Sequence, residues 1–188
     1  MKTFRSFIPP LAAMLMTASG GASAHGALID RSEIRFVAKQ TGGDVKGRFR
    51  KWKANVDLRP KEIAKSKAEF EIDMASIDLT GHASDSRARG SPEFDTEDFP
   101  VAKFSSTATR ATGRDRYEIA GTLSIQGIEK DLLVPVALVT DAIGNRVAVG
   151  EFTFRRLDFG QGEGSWANTD ALADEISVRI RMVLPPSA

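Results

Sequence analysis

An all-β chain of antiparallel strands, eight of them closing as a barrel, is the fold class predicted here, and three features predict it. Apolar and polar residues alternate with a period of two along most of the chain beyond Ile29. Turn signals built on Gly, Pro, Asn and Asp separate these stretches. The alternation is strict, so one face of each strand must meet water, whereas a sheet covered on both sides reads as continuous apolar runs. Such strands either stack as a sandwich or close on themselves. Long ones such as Val45 to Leu58 and Glu129 to Thr140 tilt and curl readily, which favours closure.

Residues 1–24 precede that pattern. Lys2 and Arg5 give a positive start, Phe7 to Met16 a short apolar run, and Ala22-Ser23-Ala24 an A-x-A cleavage site. A cleaved signal peptide of the bacterial type is expected, with cleavage near Ala24, residues 25–188 as one domain and the periplasm as destination. The apolar run is far shorter than the roughly 20 residues a bilayer span needs, so no integral membrane anchor is expected. Without the leader's two basic residues, 24 basic residues face 25 acidic ones. A near-neutral, interspersed charge offers no footprint for nucleic acid. The chain has no cysteine, which excludes disulfides and thiolate chemistry.

The first strand carries Ile34, Phe36 and Ala38 on its inner face and ends at Gly42-Gly43. In the next, Val45, Gly47 and Phe49 share one parity, and Trp52, Ala54, Val56 and Leu58 the other. A bulge near Arg50-Lys51 brings both sets to one side. Lys65 to Asp73 then sets Ser66, Ala68, Phe70 and Ile72 against Lys67, Glu69, Glu71 and Asp73. Thr80 to Pro100 is the least strand-like region: a short helix fits Ala83 to Ala88, and Phe94 and Phe99 are expected to plug one end of the core.

Strands resume with Ala102, Phe104, Ser106 and Ala108 inward. Tyr117, Ile119, Gly121, Leu123 and Ile125 follow, and Gln126-Gly127 turns the chain into Leu132, Val134, Val136 and Leu138. Pro135 lacks an N–H and belongs at a bulge or an unpaired backbone position. Ala148, Gly150, Phe152 and Phe154 line the next strand; Ile176, Val178, Ile180, Met182 and Leu184 line the last.

Small residues at inward positions (Ala38, Gly47, Ala54, Ala68, Ala102, Gly121, Ala148 and Gly150) leave room inside, so a ligand cavity and a solid core are both open on the pattern alone.

The runs IRFVAKQTGGDVKGRF (34–49), ASIDLTG (75–81), EFDTEDFPVAKFSST (93–107), YEIAGTLSIQGIEKDLLVPVAL (117–138), RRLDFGQGEGSW (155–166) and ADEISVRI (173–180) together resemble the YceI family of bacterial periplasmic proteins. The resemblance implies a lipocalin-like antiparallel barrel with a short helix between strands. Its elongated apolar pore takes a polyisoprenoid, such as an isoprenoid quinone, or another long amphiphile, and dimers are common. Where many members read VKH and R-D-x-H-L, this chain has Ala38-Lys39-Gln40 and Asp85-Ser86-Arg87-Ala88-Arg89, without the histidines. Parity and resemblance together nominate Ile34, Phe36, Phe49, Phe70, Ile72, Phe104, Tyr117, Ile119, Leu123, Phe152, Phe154, Ile176, Val178 and Ile180 as ligand-binding. Ser66 and Ser106 sit at inward parity as hydroxyls for a head-group oxygen, or as bonds to local backbone.

A binding protein without catalytic residues or resident cofactor, its partner a small hydrophobic ligand, is therefore expected. Arg156 and Asp158 beside the glycine-rich loop read as a salt-bridged corner. Two rivals come from other classes. Cleavage after Ala24 would expose His25, whose amine and imidazole could chelate copper if His82, the only other histidine, completed the site. A filled barrel serving a protein partner at a strand edge is the other.

Overall fold

The computed structural model describes residues 27–79, 96–162 and 167–184. Ten strand segments make one antiparallel sheet: β1 Glu33–Gln40, β2 Val45–Phe49, β3 Trp52–Asp57, β4 Lys67–Asp73, β5 Ile77–Leu79, β6 Val101–Gly113, β7 Arg116–Ile125, β8 Ile128–Thr140, β9 Arg146–Arg155 and β10 Leu172–Leu184. Ten is two more than predicted. The excess comes from two long strands that each break in the middle. β2 and β3 are interrupted at Arg50-Lys51, and β4 and β5 by a 3-10 turn at Met74–Ser76.

The halves stay paired across the breaks. β2 pairs with β5 and β3 with β4, and the junction is bonded by Arg50 N–H to Ser76 O (3.1 Å), Asp73 N–H to Lys51 O (3.1 Å) and Lys51 N–H to Ser76 Oγ (3.0 Å). Counted as continuous strands they give eight, each antiparallel to the one before it, and β10 closes on β1. That circuit is an up-and-down barrel. The break also reverses parity as expected: Phe49 before it and Trp52 after it both pack on the core side, Trp52 against Phe70 with ring centroids 6.4 Å apart.

Between β7 and β8, Gln126 (φ 50°) and Gly127 (φ 74°) both take positive φ, the two-residue turn that matches strand twist. On β6 the register against β7 skips between Ser106 and Ala108. The bulge corrects the predicted parity: Ala108 is exposed, and Thr109 is buried instead.

Pro135 pairs only toward β7, opposite Glu118, and the β8–β9 ladder stops one residue away at Val136 and Gly150. Beyond it, Ile128 to Pro135 and Glu151 to Arg155 have no ladder partner in one another. Side chains fill that interval. Phe159, Leu132, Phe152 and Phe154 belong to one apolar cluster, with Phe154 and Phe159 edge to face at 5.4 Å. Phe99, expected as a core plug, is 38% exposed and lies over the Gly127 turn. Phe94 and the expected helix at Ala83 to Ala88 lie outside the described residues.

Candidate functional site

Alternation turns every second residue of each strand toward the barrel axis, and those side chains enclose a cavity of about 220 Å³. Thirteen of the predicted residues line it. Ile34 and Phe36 come from β1, Phe49 from β2, Phe70 and Ile72 from β4, and Phe104 from β6. Ile119 and Leu123 come from β7, Phe152 and Phe154 from β9, and Ile176, Val178 and Ile180 from β10.

Three predicted residues are not in the lining. Ser66 Oγ accepts the Arg59 N–H at 2.8 Å, and Ser106 Oγ accepts the Ala68 N–H at 2.9 Å, so both hydroxyls serve neighbouring backbone. Tyr117 lies on β7 two residues beyond Ile119, the last lining residue toward that end of the strand.

The small residues divide in two. Ala38, Ala68, Ala102, Ala148 and Gly150 do border the open space. Gly47 and Gly121 do not, because rings cover them: a Cβ on Gly47 would fall 2.4 Å from Phe36 Cζ, and one on Gly121 2.5 Å from Phe104 Cζ. Ala54 packs into the core cluster around Ile34 and Phe70. The pattern alone had left this volume open to a ligand or to core side chains; at Gly47 and Gly121 aromatic rings occupy it.

The cavity is slender as well as apolar. Its lining on β9 runs from Ala148 to Phe154 and continues to Arg156 just beyond the strand. At about 3.3 Å per residue and a strand tilt of 35–45°, this run corresponds to roughly 20 Å along the barrel axis. A flexible chain fits that outline better than a compact ring system.

Two polar residues break the apolar lining, Arg156 and Gln161. Arg156 is only 3% exposed. Its Nε donates to Ala173 O (3.1 Å), Nη1 to Gln161 O (2.6 Å) and Nη2 to Leu172 O (2.8 Å). The expected Arg156–Asp158 corner is therefore corrected: Arg156 holds backbone carbonyls, and the ion pair at this corner joins Arg155 to Asp174 at 2.7 Å. Burial works to raise the Asp174 carboxyl. The Leu157 N–H, the Arg155 hydrogen bond and the charges of Arg155 and Arg156 outweigh it and hold the group below its ordinary value. The inward parity of Ala148, Gly150, Phe152 and Phe154, carried one step further, was the signal for Arg156.

Among the described residues no group of three His, Cys, Asp or Glu is placed to hold a metal, and no helix is long and apolar enough to cross a membrane. His25 and His82 lie outside the described residues.

The chain is similar to several known proteins. The crystal structure of Burkholderia cenocepacia BcnA is 29% identical, with a TM-score of 0.79 covering 84% of this chain and 98% of that one. A polyisoprenoid-binding domain from Saccharophagus degradans, 12% identical, shares the fold at a TM-score of 0.68 over 87% of this chain and 99% of its own. A UPF0312 protein of Shewanella denitrificans is 29% identical over 135 residues, 69% of this chain and 71% of that protein. A UPF0312 protein of Pseudomonas syringae matches at 30% over 91 residues, about half of each chain (48% and 47%). The profile of the YceI-like domain matches residues 29–184, from the turn before β1 to the last residue of β10, and the chain belongs to that family.

Proposed function

We propose that this protein binds a long-chain apolar molecule, a polyisoprenoid or a related amphiphile, inside its barrel and carries it in the periplasm after export. One observation supports this above the others: a closed barrel surrounds a slender cavity of about 220 Å³ whose lining is apolar but for Arg156 and Gln161. Moving a hydrocarbon chain from water into such a space is favourable by about 25 cal/mol for each Å² of apolar surface removed from water. Affinity then resides in the tail, and the few polar groups set orientation. The polyisoprenoid-binding domain of the same fold agrees with this reading. The A-x-A site at Ala22 to Ala24 supports export.

The test is organic extraction of the purified protein followed by mass spectrometry, together with titration of a fluorescent long-chain fatty acid. A co-purifying isoprenoid or long-chain lipid is expected, with uptake of the probe. Ala148→Phe, which places a ring in the cavity, should block uptake while leaving a cooperative melting transition. An extract without lipid and a probe that does not bind would overturn the reading.

A further inference from the structure

Arg156 is a cation at one end of a greasy tube, and among the described residues no carboxylate forms an ion pair with it; the nearby Asp174 is paired with Arg155. The three oxygens that accept from it, on Gln161, Leu172 and Ala173, are main-chain carbonyls, which carry dipoles but no net charge. Asp174 feels its field, yet that carboxylate is taken by the Arg155 Nε and the Leu157 N–H. A guanidinium carries five N–H donors. Three are used, which leaves two without a partner among the described residues, on a side chain 97% withdrawn from water that borders the cavity. Burying a charge is costly unless it is paired, and an oxyanion meeting a planar guanidinium makes the strongest hydrogen bonds available to it.

We propose that Arg156 is the head-group site of the cavity and that it selects amphiphiles ending in an anionic oxygen group, a carboxylate or a phosphate, over neutral heads of the same chain length. This rests on the chain-binding reading above. The acceptor-only head is the matching chemistry: a guanidinium offers donors alone, so an alcohol gains one weaker bond and an amine is repelled. Gln161, 7% exposed and tied to Arg156 through its own carbonyl, closes the same end. The tail then runs along the β9 face past Phe154, Phe152 and Ala148.

The experiment is a titration of delipidated protein with hexadecanoic acid, hexadecyl phosphate, hexadecanol and hexadecylamine. The two anions are expected to bind at least about tenfold more tightly than the alcohol, the scale of a hydrogen bond to a charged group, and the amine weakest. Arg156→Gln should bring the acid-to-alcohol ratio close to one. Arg146→Gln, at the other end of β9 and outside the cavity lining, should leave the ratio as it is. Equal affinity of acid and alcohol for the unaltered protein would overturn the proposal without any variant. So would an Arg156→Gln protein that weakens every ligand equally, which is the behaviour of a loop staple. Phosphate binding without carboxylate binding assigns the site to the dianionic head; the reverse assigns it to the carboxylate. If no member of the series binds, the chain-binding reading fails first and this one with it.

Discussion

Replacing Gly47 by alanine drives a methyl group into the ring of Phe36. The added Cβ would stand 2.4 Å from Phe36 Cζ, 2.7 Å from Cε1 and 2.8 Å from Leu79 Cδ2, all inside van der Waals contact. Each of these atoms is the far end of a side chain, so the ring moves while the strand holds. Phe49 packs beside that ring at 5.5 Å, and both rings border the cavity, the open space nearest to them. The ring therefore swings into the cavity. Overpacking of this kind costs about 1–3 kcal/mol, equivalent to a fall in Tm of roughly 2–12 °C for a domain of this size. Phe36→Leu removes the clashing ring atoms, so the double variant should recover about 1 kcal/mol relative to the sum of the two singles. The Leu79 contact keeps the recovery partial. Urea and thermal melts of the four proteins measure the cycle, and titration of a long-chain probe reports the narrowed space in Gly47→Ala. A Gly47→Ala protein as stable as the parent, or a cycle with no coupling, would refute the claim that ring burial is what requires glycine here.

Three further outcomes concern the barrel's charges, faces and turns. Hydrogen bonds from Arg50 and Arg48 to Asp78, at 2.8 and 2.6 Å, hold its carboxyl well below the usual range. A depressed carboxyl adds stability that is complete above its unfolded value, about 3.9, and is lost as pH falls toward the folded one. Asp78→Asn should thus flatten the loss of stability between about pH 5 and 2, read by melts across that range; parallel profiles would contradict the assignment. On β8, Leu133 is 51% exposed and Val134 only 7%. Leu133→Asp should shift stability by less than about 0.5 kcal/mol, while Val134→Asp places a carboxylate at the cavity wall and should cost several kcal/mol in a urea melt. At Asp141 the carboxylate accepts from the side chain and N–H of Asn145 and from the Ile143 N–H. Asp141→Ala should lower stability by removing the acceptor of the Ile143 and Asn145 donors, and an unchanged melt would show that the turn is held by other means.

The lining was legible wherever a strand obeys its own period. Ile34, Phe36 and Ala38, or Phe152 and Phe154, need only local alternation to be placed, and all border the cavity. The break at Arg50-Lys51 was visible too, because it reverses parity within one stretch. What escaped depends on partners distant in the sequence. The bulge after Ser106 is a property of β6 against β7, so nothing local announces that Ala108 turns out and Thr109 in. Ser66 and Ser106 have the right parity, but their hydroxyls are claimed by the N–H groups of Arg59 and Ala68. Gly47 and Gly121 read as vacant volume because a sequence does not reveal which ring lies over a missing side chain. Arg156 has an acid two residues away, yet the carbonyls of Leu172 and Ala173 capture it across the corner.

Around most of the circumference, parting two staves of this barrel means breaking a row of backbone hydrogen bonds. Between the first half of β8 and the end of β9, among the described residues, it means separating side chains of the cluster that holds Leu132, Phe152, Phe154 and Phe159, with no ladder between the two segments. Pro135, the residue next to the last paired one, has no N–H with which to extend the ladder by another bond. The wall is therefore laced by backbone hydrogen bonds along its other flanks and held by side chains along this one, which makes it the flank where the least hydrogen bonding opposes a change of bore.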